Sequence, residues 1–244
     1  MRASSSITLS TVSFRAHEPL FSGRKLEVRR SPRARRMRLA VDPRDGVVRL
    51  TLPGRVALAA GYEWAETQRG WIESALAALP AREPLGPGAE LPYEGRDIRI
   101  DWAPGHPRTV RIDADRLIVG GPEDLVGARI LRWLRAEARR KLEQETRQLA
   151  ARSAIQVGRI RVGDPRSRWG SCSASGDIAY SWRLLLAPPA VREATIAHEL
   201  AHRRHMHHGP EFHDEVARLL GREPKAERAW LRANAARLQA VGRA

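Results

Sequence analysis

The chain is poor in the features that staple small proteins together or address them to a membrane. It has one cysteine, Cys172, so no internal disulfide framework is available. No apolar run approaches the roughly 20 residues that a membrane helix needs. The opening MRASSSITLSTVSFRAHEPL is rich in Ser and Thr and lacks the apolar stretch of a signal peptide. A cytoplasmic protein with no membrane partner is the expectation. Lysine is scarce as well. Only Lys25, Lys141 and Lys225 are present, so 40 of the 43 basic residues are arginine. Acidic residues number 28, which leaves a net charge of +15. That charge points toward a polyanion. An Arg-, Ala-, Gly- and Pro-rich composition also arises from a GC-rich genome, so charge alone does not select nucleic acid as a partner.

What is present is enough for a folded core. Hydrophobic residues make up 42% and charged ones 29% of 244, which suits one large domain or a domain with a smaller annex. No internal repeat or low-complexity tract stands out in the sequence. Residues 1–22 read as a flexible arm. Residues 23–122 read as a β-rich part, beginning with a hairpin in RMRLAVDPRDGVVRLTLP that turns at PRDG, residues 43–46. Within it, residues 56–79 have helical spacing, with Val56, Ala60, Trp64, Trp71 and Leu76 inward. PAREPLGPGAELP reads as a linker, and RDIRIDW and RTVRIDADRLIVGG as two strands. Residues 123–244 form the remaining part, unless 23–240 is one continuous domain. They open with an amphipathic helix to about 152 that turns Leu131, Leu134, Ala138, Leu142 and Leu149 to a core. RIRVGD and GDIAYSWRLLLAP look like strands, and helices are expected after Pro188-Pro189 and near 210–221 and 224–240. The order of elements gives an α+β fold.

The densest chemistry is HELAHRRHMHHGPEFH, residues 198–213, which holds six of the eight histidines. On a helix, His198 and His202 lie on one face, one turn apart, and can share one ion. Glu199 is rotated by about 100°, so it can reach a metal-bound water without being a ligand. Zinc brings that water's pKa to about 7, which lets Glu199 act as a base. The helix ATIAHELA is apolar on nearly all other sides, and a buried His-Glu pair needs a partner. His205 lies on the same stripe but about 10 Å along a straight axis from His198, too far for one ion. The third ligand must return from beyond a turn, and Gly209-Pro210 supplies one. His208 sits at that turn, with His207 the runner-up. His205 and His213 read as surface groups or as supports for a ligand.

RSRWGSCSASGDIAYSWRLLLAPPAVREATIAHELAHRRHMHHGPEFHDEVARLLG resembles the catalytic half of the YgjP-like zinc metallopeptidases of bacteria, relatives of the SprT-like proteases. The resemblance runs weakly upstream and covers roughly residues 25–235. It rests on a W-G-S-C-S turn, a strand ending in W-R-L, an H-E-L-x-H helix and a later histidine, in that order. It implies a zincin-like catalytic part, one Zn²⁺ on His198, His202 and His208, Glu199 as catalytic base, and a peptide or protein substrate. Three positions depart from the family pattern: Ser181 replaces Asn, Gly209 replaces Ser and His213 replaces Trp.

Other residues carry two readings each. RSRWGSCS either packs Trp169 into the core with Gly170 allowing close approach, or is an edge strand in which Trp169, Gly170 and Ser171 hold an extended peptide. Tyr180 and Arg183 are candidates to stabilise an oxyanion on the substrate, though Arg183 can equally pair with a structural carboxylate. Cys172 reads as a small packed residue rather than a nucleophile or ligand. RKLEVRRSPRARRMR, residues 24–38, sets eight basic groups against Glu27. Its simpler reading is a solvated edge strand. A phosphate-binding surface is the alternative, weakened because no aromatic residue interleaves with the charges. The function expected is a zinc metallopeptidase. The alternatives are a metal-dependent hydrolase of a non-peptide substrate such as a nucleotide, or a protease associated with nucleic acid.

Overall fold

The computed structural model describes residues 20–42, 45–79, 84–165 and 168–242. Residues 1–19 of the expected arm at 1–22, turn residues 43–44, linker residues 80–83, and Arg166 and Ser167 lie outside the described residues; Leu20–Phe21 at the arm's end is strand, with Phe21 in the core. The chain divides into two compact units, residues 1–79 and 80–244.

The first unit holds β1 (Leu20–Phe21), β2 (Arg24–Ser31), β3 (Arg38–Val41) and β4 (Val48–Pro53), then α1 (Leu58–Thr67) and α2 (Arg69–Ala77). The sheet order is β1-β2-β4-β3. The expected hairpin is present as antiparallel β3 and β4. β4 alternates strictly, so Val48, Leu50 and Leu52 enter the core with Phe21, Leu26, Ala65 and Ile72. Gly61 lets α1 close on that face. A Cβ there would lie 2.8 Å from Leu52 Cδ2. The single helix expected over 56–79 is two, broken at Gln68. The break shifts the helical phase, so Ile72 is buried while Trp71 is 51% exposed; Ala60, ahead of the break, is exposed on α1.

The second unit holds β5 (Glu90–Tyr93), β6 (Arg96–Trp102), β7 (Arg111–Asp113), β8 (Arg116–Val119), α3 (Val126–Arg152), β9 (Ile160–Gly163), β10 (Gly170–Cys172), β11 (Ile178–Ser181), α4 (Pro189–Ala201), α5 (Pro210–Leu220) and α6 (Lys225–Ala240). RTVRIDADRLIVGG is not one strand but the β7–β8 hairpin, turning through Ala114 at φ 54°. WRLL, residues 182–185, is a 3-10 turn rather than strand. A three-stranded sheet has the order β10-β11-β9, which leaves β10 on an edge. The expected boundary at 122/123 does not coincide with the division after Leu79. The reason is packing. Leu91, Ile98, Ile100, Leu117 and Val119 of β5–β8 share one core with Ile130 and Leu134 of α3 and with Ile196 and Leu200 of α4.

A repeat that the sequence hides is plain in the topology. The sheet β5-β6-β8-β7 has the same strand order as the first. Its first and last pairs are likewise antiparallel and its middle pair parallel. Both open with a tight hairpin, Phe21-Ser22-Gly23-Arg24 and Tyr93-Glu94-Gly95-Arg96. The central residues have φ of 49° and 75° in one and 51° and 82° in the other. Those are the two left-handed positions of a type I′ turn.

The second hairpin tip is docked. Amides of Glu94 and Gly95 donate to the carbonyls of Leu185 and Leu186, just ahead of α4. Arg192, 3% exposed on α4, forks onto Glu145 of α3 and also reaches Glu94, which accepts from Lys141. These pairs fix α4 against α3 and the sheet. The carboxylates stay partly in water, so removing one of them costs less than a fully buried pair's loss of about 3–5 kcal/mol.

Candidate metal centre

α4 begins where Pro188-Pro189 can start a helix, with proline in the first turn. It is buried nearly all round, through Val191, Ala194, Ile196, Ala197 and Leu200. His198 and Glu199 lie in its last turn, and His202 is its C-cap residue. The helix stops there, so His205 is not on it. Residues 203–208 form the return that leads to α5, which opens with Gly209 as N-cap and Pro210. Two arginines tie that return down. Arg203 donates to the carbonyls of Gln156 and Ala174, and Arg204 to that of Ser153. Arg204 also meets Glu215 of α5, itself forked by Arg218.

The return brings His208 back over His198. Ligating atoms of His198, His202 and His208 all lie within 4.8 Å of one another, and His208 Nε2 stands 3.2 Å from His198 Nε2. Tetrahedral zinc with bonds of about 2.0–2.1 Å would separate two nitrogens by about 3.3 Å, so this donor set fits such an ion. His202 Nδ1 lies 3.2 Å from the His205 carbonyl. Donation there leaves Nε2 as the free lone pair, the support that ligating imidazoles usually have. Burial, then the neighbouring His202 and His208, holds the His198 imidazole down at about 4. His202 is lowered too, by burial, against its bond to the His205 carbonyl. Neutral imidazoles are the form a metal needs.

Phe212 is the residue that sequence reasoning missed. It is fully buried, and its ring lies 4.8, 4.6 and 4.6 Å from those of His198, His202 and His208. It is the apolar floor on which the three rings rest. The signal was legible: an aromatic two positions into the helix that follows the last candidate ligand.

Glu199 is 4% exposed, and burial pushes its carboxyl up to about 7, with Arg168 opposing. It borders a cleft of about 260 Å³ that also includes His198, Trp169, Gly170 and His213 and has apolar walls such as Val191, Val216 and Leu231. Trp169 and Gly170 therefore belong to the cleft. Ser171 follows Gly170 on β10, paired with Ala179. Tyr180 and Arg183 do not line the cleft. Tyr180 is 1% exposed with its hydroxyl on Thr146, and burial pushes that hydroxyl far up. It shares the buried face of β11 with Ile178, while Ala179 on the other face is exposed. Arg183 is equally buried and donates to Asp164 and to the carbonyls of Leu238 and Val241. That is the structural pairing. Cys172 is partly buried against the core. His207 stands outside the cluster.

Three converging imidazoles, with His198 and a buried carboxyl bordering a largely apolar cleft, are the equipment of a metal-dependent hydrolase. Residues 35–234 match the model of the family described as YgjP-like, metallopeptidase domain, and the chain belongs to that family. Its class is that of metal-dependent peptidases. No curated protein and no solved structure matches the chain significantly. Among the described residues no helix is long and apolar enough to cross a membrane.

Proposed function

We propose that the chain is a zinc peptidase in which His198, His202 and His208 hold one ion and Glu199 is the general base. The observation that carries the reading is the convergence of three imidazoles beside a carboxyl group that is nearly out of water. Zinc held there would act as a Lewis acid and bring a coordinated water's pKa to about 7. Glu199 then accepts a proton from the attacking water at a carboxylate oxygen and returns it to the leaving amine. Gly170 keeps the backbone of β10 close to that carboxylate. The free edge of β10, through Trp169, Gly170 and Ser171, suits an extended peptide held by main-chain pairing. The apolar wall of Val191, Val216 and Leu231 suits an apolar side chain of that peptide.

Hydrolysis of a non-peptide substrate would use the same residues, and membership of a metallopeptidase family favours the peptide. The test combines metal analysis with turnover of a panel of peptides, esters and nucleotides. The expected result is about one zinc per chain and cleavage of peptides. Glu199→Gln should keep the zinc and lose about 10²–10⁴-fold in turnover. Full zinc with unchanged turnover would remove Glu199 from the mechanism, and a metal-free protein with peptidase activity would remove the ligands.

A further inference from the structure

The first unit carries a surface that the peptidase reading leaves unused. A groove of about 780 Å³ is bounded by the β2–β3 connection, β3 and the two helices, and its lining includes Arg35, Arg36, Arg38, Trp64, Gln68 and Trp71. The charges and the indoles lie some thirty residues apart in sequence, yet the fold sets them side by side. Trp71 is half exposed and Trp64 partly so.

The arginines here are uncommitted. Residues 20–79 contain six acidic groups. Arg49 pairs with Glu27, Asp42 and Asp45, and Arg69 pairs with Glu66 and Glu73. Two arginines thus take five of the six carboxylates. Among the described residues, Arg35, Arg36 and Arg38 have no carboxylate partner. Three guanidinium forks without counter-charge, next to the exposed indole of Trp71 and the partly exposed one of Trp64, match a ligand in which anions alternate with flat rings.

We propose that this groove binds single-stranded nucleic acid, with bases stacked on Trp71 and Trp64 and phosphates paired with Arg35, Arg36 and Arg38. Guanidinium forks pair phosphate oxygens two at a time. Stacking requires unpaired bases, which selects a single strand over a duplex. An acidic peptide would satisfy the arginines and leave the indoles in water.

The test uses the full chain, a labelled thymidine 20-mer and the same 20-mer as a duplex, followed by anisotropy at about 50 and 200 mM salt. The single strand should bind more tightly, and binding should fall steeply with salt. Trp71→Ala should weaken it by about 5- to 150-fold, the range for one stacked base. Trp71→Phe should recover most of that loss. Each of Arg35→Ala, Arg36→Ala and Arg38→Ala should lower the salt slope by about 0.7. The arginines lie on the surface, so those variants report even where Trp71→Ala does not fold. No binding at low salt overturns the proposal. So does equal binding of duplex with no effect of Trp71→Ala, which is charge attraction alone. Displacement of the strand by an equal concentration of polyglutamate overturns it, as does a dimer that Trp71→Ala disperses, since either gives the groove another occupant.

Discussion

Gly170 and Glu199 meet across a gap that only glycine leaves open. A Cβ on Gly170 would lie 2.8 Å from both Cγ and Cδ of Glu199 and closer still to its Oε1. Gly170 is not in the left-handed region, so an added methyl strains contacts rather than the backbone. Gly170→Ala should therefore keep the metal, displace the carboxylate and lower turnover by about 10²-fold, the lower end of a general base's contribution. Zinc analysis beside turnover checks this. Wild-type turnover in the alanine variant would mean that the carboxylate has freedom to move without cost.

His205 and His208 should separate cleanly. The part of His205 that touches the cluster is its carbonyl, which His202 Nδ1 meets. Any residue supplies that group, so His205→Ala should retain zinc. His208→Ala removes a ring from the triad. Losing a group that merely supports a ligand costs about 10–100-fold in metal affinity, and losing a ligand should cost more. Competition with a chelator measures both, and the reverse order would reassign the third ligand.

Acid should loosen the seat of α4. Burial alone would raise the Glu94 carboxyl, but the hydrogen bond and charge of Lys141, together with Arg192, outweigh it and hold the group below its ordinary 4.5. A carboxylate whose folded value is depressed stabilises the fold fully above its unfolded value, and that stability is lost as pH falls through the folded one. Glu94→Gln should thus melt lower than wild type at pH 7, and the gap should close toward pH 3. Thermal midpoints across that range test it. A gap that stays constant would mean the charge of Glu94 contributes nothing.

Much of the metal centre was legible because it is local. The i, i+4 pair, the Gly209-Pro210 turn and the helix after it are all set by short-range rules, and α5 and α6 lie within a residue or so of where those rules put them. His205 is kept off the helical stripe for a different reason from the one argued. The helix ends at His202 rather than running on straight. What was not legible depends on distant partners. Four residues of β11 cannot reveal which face is turned to the core, so Tyr180 and Arg183 read as exposed to a cleft. Alternation in β5–β8 says that one face is buried but not under which core, which misplaced the boundary at 122/123. The aromatic partners of the basic run at 24–38 were sought within it, while the chain delivers Trp64 and Trp71 from the helices.

The doubled four-strand module has a practical consequence for anyone who must attach something to this chain. In the second copy the hairpin tip is spoken for. A Cβ at Gly95 would lie 2.9 Å from Pro188 Cα, and both tip amides are bonded to the approach to α4. In the first copy the same turn, Ser22-Gly23, is exposed, and a Cβ at Gly23 meets nothing within 4 Å. One architecture thus offers a closed port and an open one. Exposed tips of small residues are where chains accept insertions. A fluorophore, affinity tag or tether placed at Ser22-Gly23 would sit on an exposed turn of the first unit, whereas the same graft at Glu94-Gly95 would pry at the root of the helix that carries His198 and Glu199.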